Sequence, residues 1–254
     1  MSQLLKDKSV IITGASRGIG AASGEVFAAL GANVVLVARD ADALAKLESS
    51  IKAEGGSAIA VAGDISDYAV IEGVVQRCVD EFGSVDVLVN NAGVIEPIAR
   101  LADSDPAQWA KAIDINVKGV YYGVRACLPI MLAAGGGTIV NVSSGAATNA
   151  MEGWSHYCSS KAAVLSVTQC VHKEYGDQGI RMLGMSPGTV ATGMQVAIKA
   201  SGLNPVSQLD PSVHIPAEWA AKAIVWLCTP ESDEFKGTDF SLRAPGSYER
   251  VGLA

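Results

Sequence analysis

Ser9-Val10-Ile11-Ile12-Thr13-Gly14-Ala15-Ser16-Arg17-Gly18-Ile19-Gly20 is a short β-branched run that breaks into a glycine turn, and a helical pattern through Val26, Phe27 and Leu30 follows it. Strand, glycine turn and helix in this order are what a dinucleotide pyrophosphate site needs. Glycine lets backbone approach phosphate with no Cβ in the way, and a helix amino terminus offers free N–H groups to negative charge. The spacing Gly14-x3-Gly18-x-Gly20 differs from Gly-x-Gly-x-x-Gly. By itself the stretch therefore reads equally as a tight connection.

Further runs repeat the alternation. Asn33 to Ala38, Ser57 to Ala62, Asp86 to Val89, Thr138 to Val142 and Ile180 to Met185 read as strands, and a last short one spans Thr238 to Leu242. Helical patterns lie between them: Ala41 to Ala53, a helix capped by Ser66 or Asp67 and ending at Phe82, a long region from Pro106 to Ala133 interrupted near Asn116-Val117-Lys118-Gly119, and Pro216 to Cys228. Strands and helices alternating at this spacing predict βαβ crossovers, hence an α/β doubly wound parallel sheet of Rossmann type with helices on both faces. No internal repeat or linker divides the chain, so one domain over 1–254 is expected. Val190 to Ile215 has weak periodicity and contains Gly202, Pro205 and Pro211, the pattern of a helical lid or substrate loop.

Strand ends are where open parallel sheets bind ligands. At the second, an acidic residue would hold the adenosine ribose, but Ala38 stands there with Arg39 after it. Arg39 and Arg17 can clamp a 2′-phosphate from two sides, which predicts NADP(H) over NAD(H). The competing reading makes Arg39 a solvated charge paired with Asp40 or Asp42. Asp64, after the third strand, suits either an adenine amino group or the start of a turn. Asn90-Asn91-Ala92-Gly93 closes the fourth strand, and Ser143 and Ser144 close the fifth. Asn116 either bends its helix by bonding backbone carbonyls or holds a water.

Composition narrows the partners. The chain has 254 residues, 49% of them hydrophobic, and a net charge of −7 with no basic run, which excludes nucleic acid and anionic membrane as expected partners. No stretch approaches the ~20 apolar residues of a membrane span, and Met1 to Lys8 carries no signal-peptide pattern. Five cysteines without a Cys-x-x-Cys pair fit reduced thiols in the cytoplasm. The three histidines show no metal-ligand spacing, so no metal is expected.

Ser155-His156-Tyr157-Cys158-Ser159-Ser160-Lys161 opens another helix, whose buried stripe is expected at Ala162, Ala163, Val164, Val167 and Cys170. Tyr157 and Lys161 then share one face. A tyrosine titrates near ~10, and a neighbouring cation lowers that value, making Tyr157 a candidate general acid/base. Tyrosine and lysine at this spacing also occur on ordinary amphipathic helices.

Taken together, Thr13-Gly14-x3-Gly18-Ile19-Gly20, Asn90-Asn91-Ala92-Gly93, Asn116, Ser144, Tyr157-x3-Lys161 and Pro187-Gly188-Thr189 resemble the short-chain dehydrogenase/reductase family across nearly the whole chain. The resemblance implies a carbonyl reductase with Tyr157 as proton donor, Lys161 on the nicotinamide ribose and depressing the tyrosine pKa, Ser144 polarising the substrate oxygen, and Asn116 keeping a water that links Lys161 to solvent. Family spacing selects Ser144 over Ser143. Thr189 and nearby backbone would bind the carboxamide. The cofactor surface so implied comprises Gly14, Ser16, Arg17, Gly18, Ile19, Gly20, Arg39, Asp64, Ile65, Asn91, Ala92, Gly93, Tyr157, Lys161, Pro187, Gly188, Val190 and Thr192. Gly153-Trp154-x2-Tyr157-Cys158 and Thr192 to Ile198 look like the sepiapterin and benzil reductase branch, which implies a ketone flanked by another carbonyl, or an aromatic ketone. Trp154 and Met194 are either pocket or packing residues. Leu183, where the family often has asparagine, and Arg243-Ala244-Pro245-Gly246, in place of Asp-Gly-Gly, depart from the pattern. Family members pair through the helices that hold Tyr122 and Val164, so a homodimer or homotetramer is expected. Two other readings are an NAD(P)-dependent alcohol dehydrogenase working oxidatively and a non-catalytic dinucleotide sensor.

Overall fold

Every residue of Ser9–Thr13 (β1) is buried, because the strand is covered on both faces. Val10 and Ile12 enter one apolar core and Ile11 the other, the period-two alternation of a strand. The computed structural model describes residues 5–253. Residues 1–4, the start of the Met1–Lys8 stretch, and residue 254 lie outside the described residues.

Six more strands lie parallel to β1: Asn33–Ala38 (β2), Ser57–Ala62 (β3), Val87–Asn90 (β4), Gly137–Val142 (β5), Ile180–Ser186 (β6) and Asp239–Ser241 (β7). Their order is β3-β2-β1-β4-β5-β6-β7, so the chain changes direction across the sheet between β1 and β4. That switch point opens a crevice at the carboxyl ends of these strands.

The helices are Gly18–Ala29 (α1), Ala41–Ala53 (α2), Tyr68–Phe82 (α3), Pro106–Ile113 (α4), Gly119–Ala133 (α5), Ser155–Tyr175 (α6), Gly193–Ser201 (α7), Ala217–Leu227 (α8) and Ser247–Val251 (α9). Phe27 of α1, Leu44 and Leu47 of α2, and Ile224 and Trp226 of α8 cover one sheet face. Val74 of α3, Val124 and Met131 of α5 and Val164 of α6 cover the other. Aspartates start three helices: Asp40 accepts from Ala43 N, Asp67 from Ala69 N, and Asp105 from Ala107 N beside Pro106. Among the described residues no helix is long and apolar enough to cross a membrane.

The expected elements are present, with ends shifted by a residue or two. Of Ser66 and Asp67, the cap is Asp67. The interruption near Asn116 is a π-turn, Asp114–Lys118, between α4 and α5. The segment Val190 to Ile215 holds α7 and two 3₁₀ turns. A parallel bridge between Val190 and Ile215 ties its two ends into a neck. The five-residue α9 was not expected, being too short to show a helical period.

Candidate active site

The glycine turn is fixed by lacing between the ends of β1 and β4. Thr13 Oγ1 accepts from the N–H groups of Asn91 and Ala92, each at 3.1 Å. Asn91 Nδ2 donates to Thr13 O at 2.9 Å and to Gly14 O at 3.2 Å. Only glycine fits this contact. A Cβ at Gly20 would lie 2.3 Å from Gly14 O, and one at Gly14 would lie 2.7 Å from Ala92 Cα, with φ at +68°. Arg17 precedes α1 in extended conformation and no side chain caps the helix, so its first N–H groups remain available to an anion.

A cavity of about 950 Å³ runs from this turn over the carboxyl ends of the central strands. At one end stand Arg17, Arg39 and Asp64. Both arginines are exposed, and among the described residues neither forms an ion pair. Asp40 is engaged as the cap of α2, so Arg39 is not the strand-end charge paired with Asp40 or Asp42 that the competing reading described. Asp64 Oδ1 accepts from Ser66 N and Oγ. Those bonds to Ser66, with Arg39 nearby, hold its carboxyl below the ordinary range despite partial burial.

Of the residues expected to contact cofactor, all but Gly20 line this cavity: Ser16, Gly18 and Ile19 in the turn, Ile65 after β3, Asn91 to Gly93 after β4, and Pro187, Gly188, Val190 and Thr192 after β6. Gly20 sits behind the wall as a spacer against Gly14 and Asn91. The two adjacent amides part company. Asn91 is in the site, whereas Asn90 faces the sheet interior and donates to Asn141 Oδ1 at 2.9 Å.

Ser144, Tyr157 and Lys161 meet at the far end of the cavity. The buried face of α6 differs from the expected stripe. Ala162 and Cys170 are exposed, while Tyr157, Ser160, Lys161, Val164, Thr168 and Val171 are buried. Polar side chains can turn inward here because each finds a partner. Ser160 Oγ accepts from Asn116 Nδ2 at 3.2 Å, Thr168 Oγ1 accepts from Asn141 Nδ2 at 3.0 Å, and Lys161 Nζ donates to Val142 O at 2.6 Å. These bonds fix the height of α6 over the sheet. His156 is buried beside Tyr157, with Nε2 2.7 Å from Ile95 O, and burial pushes its pKa down. A neutral ring committed to that carbonyl is an anchor for the start of α6.

Asn116 bonds no carbonyl of its own helix. Its Oδ1 accepts from Val94 N at 2.8 Å and its Nδ2 donates to Val94 O at 2.9 Å. The π-turn widens the helix and points this amide across at the loop after β4. Asn116 is behind the cavity wall: a Cβ at Gly93 would lie 3.4 Å from its Oδ1 and 3.9 Å from Lys161 Nζ.

Lys161 Nζ lies 5.5 Å from the centroid of the Tyr157 ring and gives its hydrogen bond to Val142. The phenol is therefore not lowered as the sequence suggests. Burial pushes it up to about 12, with the Ser144 hydroxyl pulling the other way. Burial likewise pushes Lys161 down to about 8, opposed by the charge of Asp239. At neutral pH the site thus holds a protonated phenol beside a protonated lysine. Ser144 Oγ accepts from Ala146 N at 3.2 Å, which leaves its own proton free to donate.

Beyond this group the cavity wall carries the apolar Ile95, Met151, Trp154, Met194, Ile198 and Val206, with the polar Glu96, Asn149 and Gln195 among them. Trp154 packs edge-on against Tyr157, centroids 5.7 Å apart, so Trp154 and Met194 are pocket and packing residues together. Leu183 is fully buried in the apolar core on one face of the sheet. Arg243 reaches the cavity over Gly188, where a Cβ would lie 2.4 Å from the Arg243 Cδ. Neither Arg243 at the cavity nor the half-buried Asp239 behind it is legible from the sequence, since both depend on how β7 seats beside β6.

The sequence model described as short chain dehydrogenase matches residues 8–202. The chain is 33% identical over 254 residues to cis-4-hydroxycyclohexanecarboxylate dehydrogenase of Sinomonas cyclohexanicum, covering 99% of this chain and 100% of that one. It is 34% identical to a 3-oxoacyl-acyl-carrier-protein reductase of Synechocystis sp., covering 91% and 94%. The crystal structure of levodione reductase superposes with a TM-score of 0.87 at 26% identity, covering 97% of this chain and 98% of that one. With a family match over most of its length and full-length relatives above the level at which families part, the chain belongs to the short-chain dehydrogenase family of oxidoreductases.

Proposed function

We propose that the protein is an NADPH-dependent carbonyl reductase that protonates a ketone or aldehyde oxygen from Tyr157. The observation that carries this reading is the buried Tyr157–Lys161 pair at the end of a cavity that begins at the glycine turn. The chain's own residues suit a nicotinamide dinucleotide: a Cβ at Gly14, Gly18 or Gly20 would strike Ala92, Thr192 or Gly14, so the turn keeps open a bare concave wall under an uncapped helix terminus. In this reading Gly14 to Ile19 take the diphosphate, Asp64 and Ile65 the adenine, Asn91 to Gly93 and Lys161 the nicotinamide ribose, and Pro187 to Thr192 the carboxamide. When bound, the reduced nicotinamide supplies hydride.

The rest is done by side chains. Ser144 donates to the substrate oxygen and holds it beside the phenol. Tyr157 passes its proton to that oxygen as negative charge develops, and Lys161 keeps the neighbourhood positive. Asn116, by clamping Val94 and Ser160, holds the loop after β4 and α6 at a fixed separation. Burial holds the phenol at about 12, so at neutral pH Tyr157 carries the proton that reduction needs, and the charge developing on the substrate oxygen must draw it off. The apolar end suits a bulky carbonyl compound, including a diketone or an aromatic ketone. An absorbance screen of NADPH consumption against diketones, pterins, keto esters and quinones tests the reading, and no turnover on any carbonyl would contradict it.

A second reading, alcohol oxidation, is favoured by the full-length likeness to a hydroxycyclohexanecarboxylate dehydrogenase. Comparing NADPH plus ketone with NADP plus alcohol at neutral pH decides between them.

The unpaired Arg17 and Arg39 support NADP(H). Each charge-assisted bond to a 2′-phosphate contributes about 1.5–3 kcal/mol, so Arg39→Ala is expected to raise the NADPH Kd by roughly 10- to 100-fold and leave NADH binding unchanged. Equal affinities for both cofactors, unaltered in Arg39→Ala, would exclude the assignment.

The protein is further read as a single catalytic domain that works in the cytoplasm, where its free cysteines stay reduced, and as a homodimer or homotetramer. Val164 is turned into the core, so pairing would use the outer sides of α5 and α6, where Tyr121, Ala162 and Cys170 are exposed. Light scattering at micromolar concentration is expected to give at least a dimer mass, and a monomer mass would contradict this.

A further inference from the structure

One register row crosses four strands beneath α6: Asn90 pairs with Asn141, Asn141 with Gly184, and Gly184 with Asp239. Aligned residues of neighbouring parallel strands share a face. The row therefore consists of two amides, a gap and a carboxylate. The amides are spent on holding α6, through Asn90 to Asn141 and Asn141 to Thr168. Gly184 makes the gap, and a Cβ there would lie 2.7 Å from Asp239 Oδ1. The carboxylate of Asp239 thus lies over bare backbone, pointing inward from the edge strand.

Asp239 Oδ2 accepts from Ser186 Oγ at 2.5 Å, but Oδ1 is buried without a partner. Ser143 Oγ, two residues beyond Asn141 on the same side of β5, is likewise buried without a partner. Burial pushes the Asp239 carboxyl up, and Ser186 and the nearby Ser143, which does not close a well-formed hydrogen bond, oppose it by favouring the charged form. Directly before Ser143 is Val142, whose carbonyl holds Lys161 Nζ at 2.6 Å.

We propose that Asp239 is a positioning residue for Lys161: held by Ser186 over the bare Gly184, its carboxylate supplies, from behind Ser143, the counter-charge that keeps Lys161 an ammonium. The proposal rests on the reading of Lys161 given above. Tyr157 and Asp239 are the titratable groups set against Lys161, one from α6 and one from β7. β5 and β6 contribute the neutral Ser143, Ser144 and Ser186, and the π-turn contributes Asn116. Burial pulls each group toward its neutral form, and against it the Asp239 charge favours the ammonium of Lys161 and the lysine favours the carboxylate. A purely structural brace fits poorly, because a carboxylate with one buried, unpartnered oxygen costs more stability than an amide at the same place.

The test follows Lys161 by NMR in ¹³C-lysine-labelled full-length protein, without cofactor or substrate. In Asp239→Asn the Lys161 titration is expected to move about one unit toward lower pH, with Tm equal to or above that of the wild type. The alkaline limit of NADPH binding is expected to move down by the same amount. A Lys161 titration unchanged in a folded Asp239→Asn protein overturns the proposal, and so does a lower Tm with that titration unmoved. Should Asp239→Asn not fold, Gly184→Ala, whose methyl crowds Oδ1, carries the same expected direction, and an unmoved Lys161 there overturns the proposal equally. The titration is read without turnover. It can therefore fail while Tyr157→Phe still abolishes catalysis, or hold while the catalytic reading fails.

Discussion

Tyr157→Phe is expected to lower kcat by about 10²- to 10⁴-fold, the usual contribution of a positioned general acid, and to leave NADPH affinity and Tm near wild type. The substitution removes one oxygen and keeps the ring. That ring is only 8% exposed and packs edge-on against Trp154, so its apolar contacts survive in phenylalanine. The phenolic oxygen meets the Ser144 hydroxyl, but the fold does not hang on that contact, since Ser144 is also held by Ala146 N and Lys161 is held by Val142 O. What is lost is a proton donor, and water in a site lined by Ile95, Trp154 and Met194 is a poor replacement. Single-turnover absorbance together with NADPH fluorescence titration separates the two quantities. Wild-type turnover in the variant would remove Tyr157 from the mechanism.

Gly20→Ala is the second large effect, and it operates through the scaffold. The new methyl would lie 2.3 Å from Gly14 O and 2.6 Å from Asn91 Nδ2. Neither neighbour can swing away, because the Gly14 contact is backbone and Asn91 is held by the carbonyls of Thr13 and Gly14. The turn must shift as a unit, at about 1–3 kcal/mol of overpacking. The expected result is a loss of NADPH affinity of roughly 5- to 150-fold together with a lowered Tm. Gly73→Ala, on the exposed side of α3 with nothing within 4 Å of the new Cβ, is the control. It should leave cofactor binding untouched and add about 0.5–1 kcal/mol of stability. Equal behaviour of the two alanine variants would show that the turn tolerates a side chain.

These contrasts mark what the sequence discloses. Val10 to Ile12, Val34 to Val37 and Ile139 to Val140 read as strands because both faces of the sheet are covered and every position must be apolar. The turn was legible for a similar local reason, since strand, glycines and helix follow one another. The face of α6 was not. Hydrophobic spacing pointed to Ala162 and Cys170, whereas Ser160, Lys161 and Thr168 are buried because Asn116, Val142 and Asn141, distant in sequence, satisfy them. The phenol was misjudged on the same account. Helical spacing places an ammonium beside the ring, but the depth of burial, which decides the direction of the shift, is a property of the packed structure. Asp239 lay further from reach, because its setting depends on the register of β5, β6 and β7 together.

The pH dependence of kcat/KM for NADPH-driven carbonyl reduction tests the central claim most directly, because it reports the protonation state the free enzyme must have. The lysine titrates at about 8 and the phenol at about 12, and reduction uses the protonated form of each. Activity should therefore be full below the lysine's value and fall as the pH rises through about 8. A rate that climbs through that range would mean that a base, not the protonated Tyr157–Lys161 pair, drives the reaction.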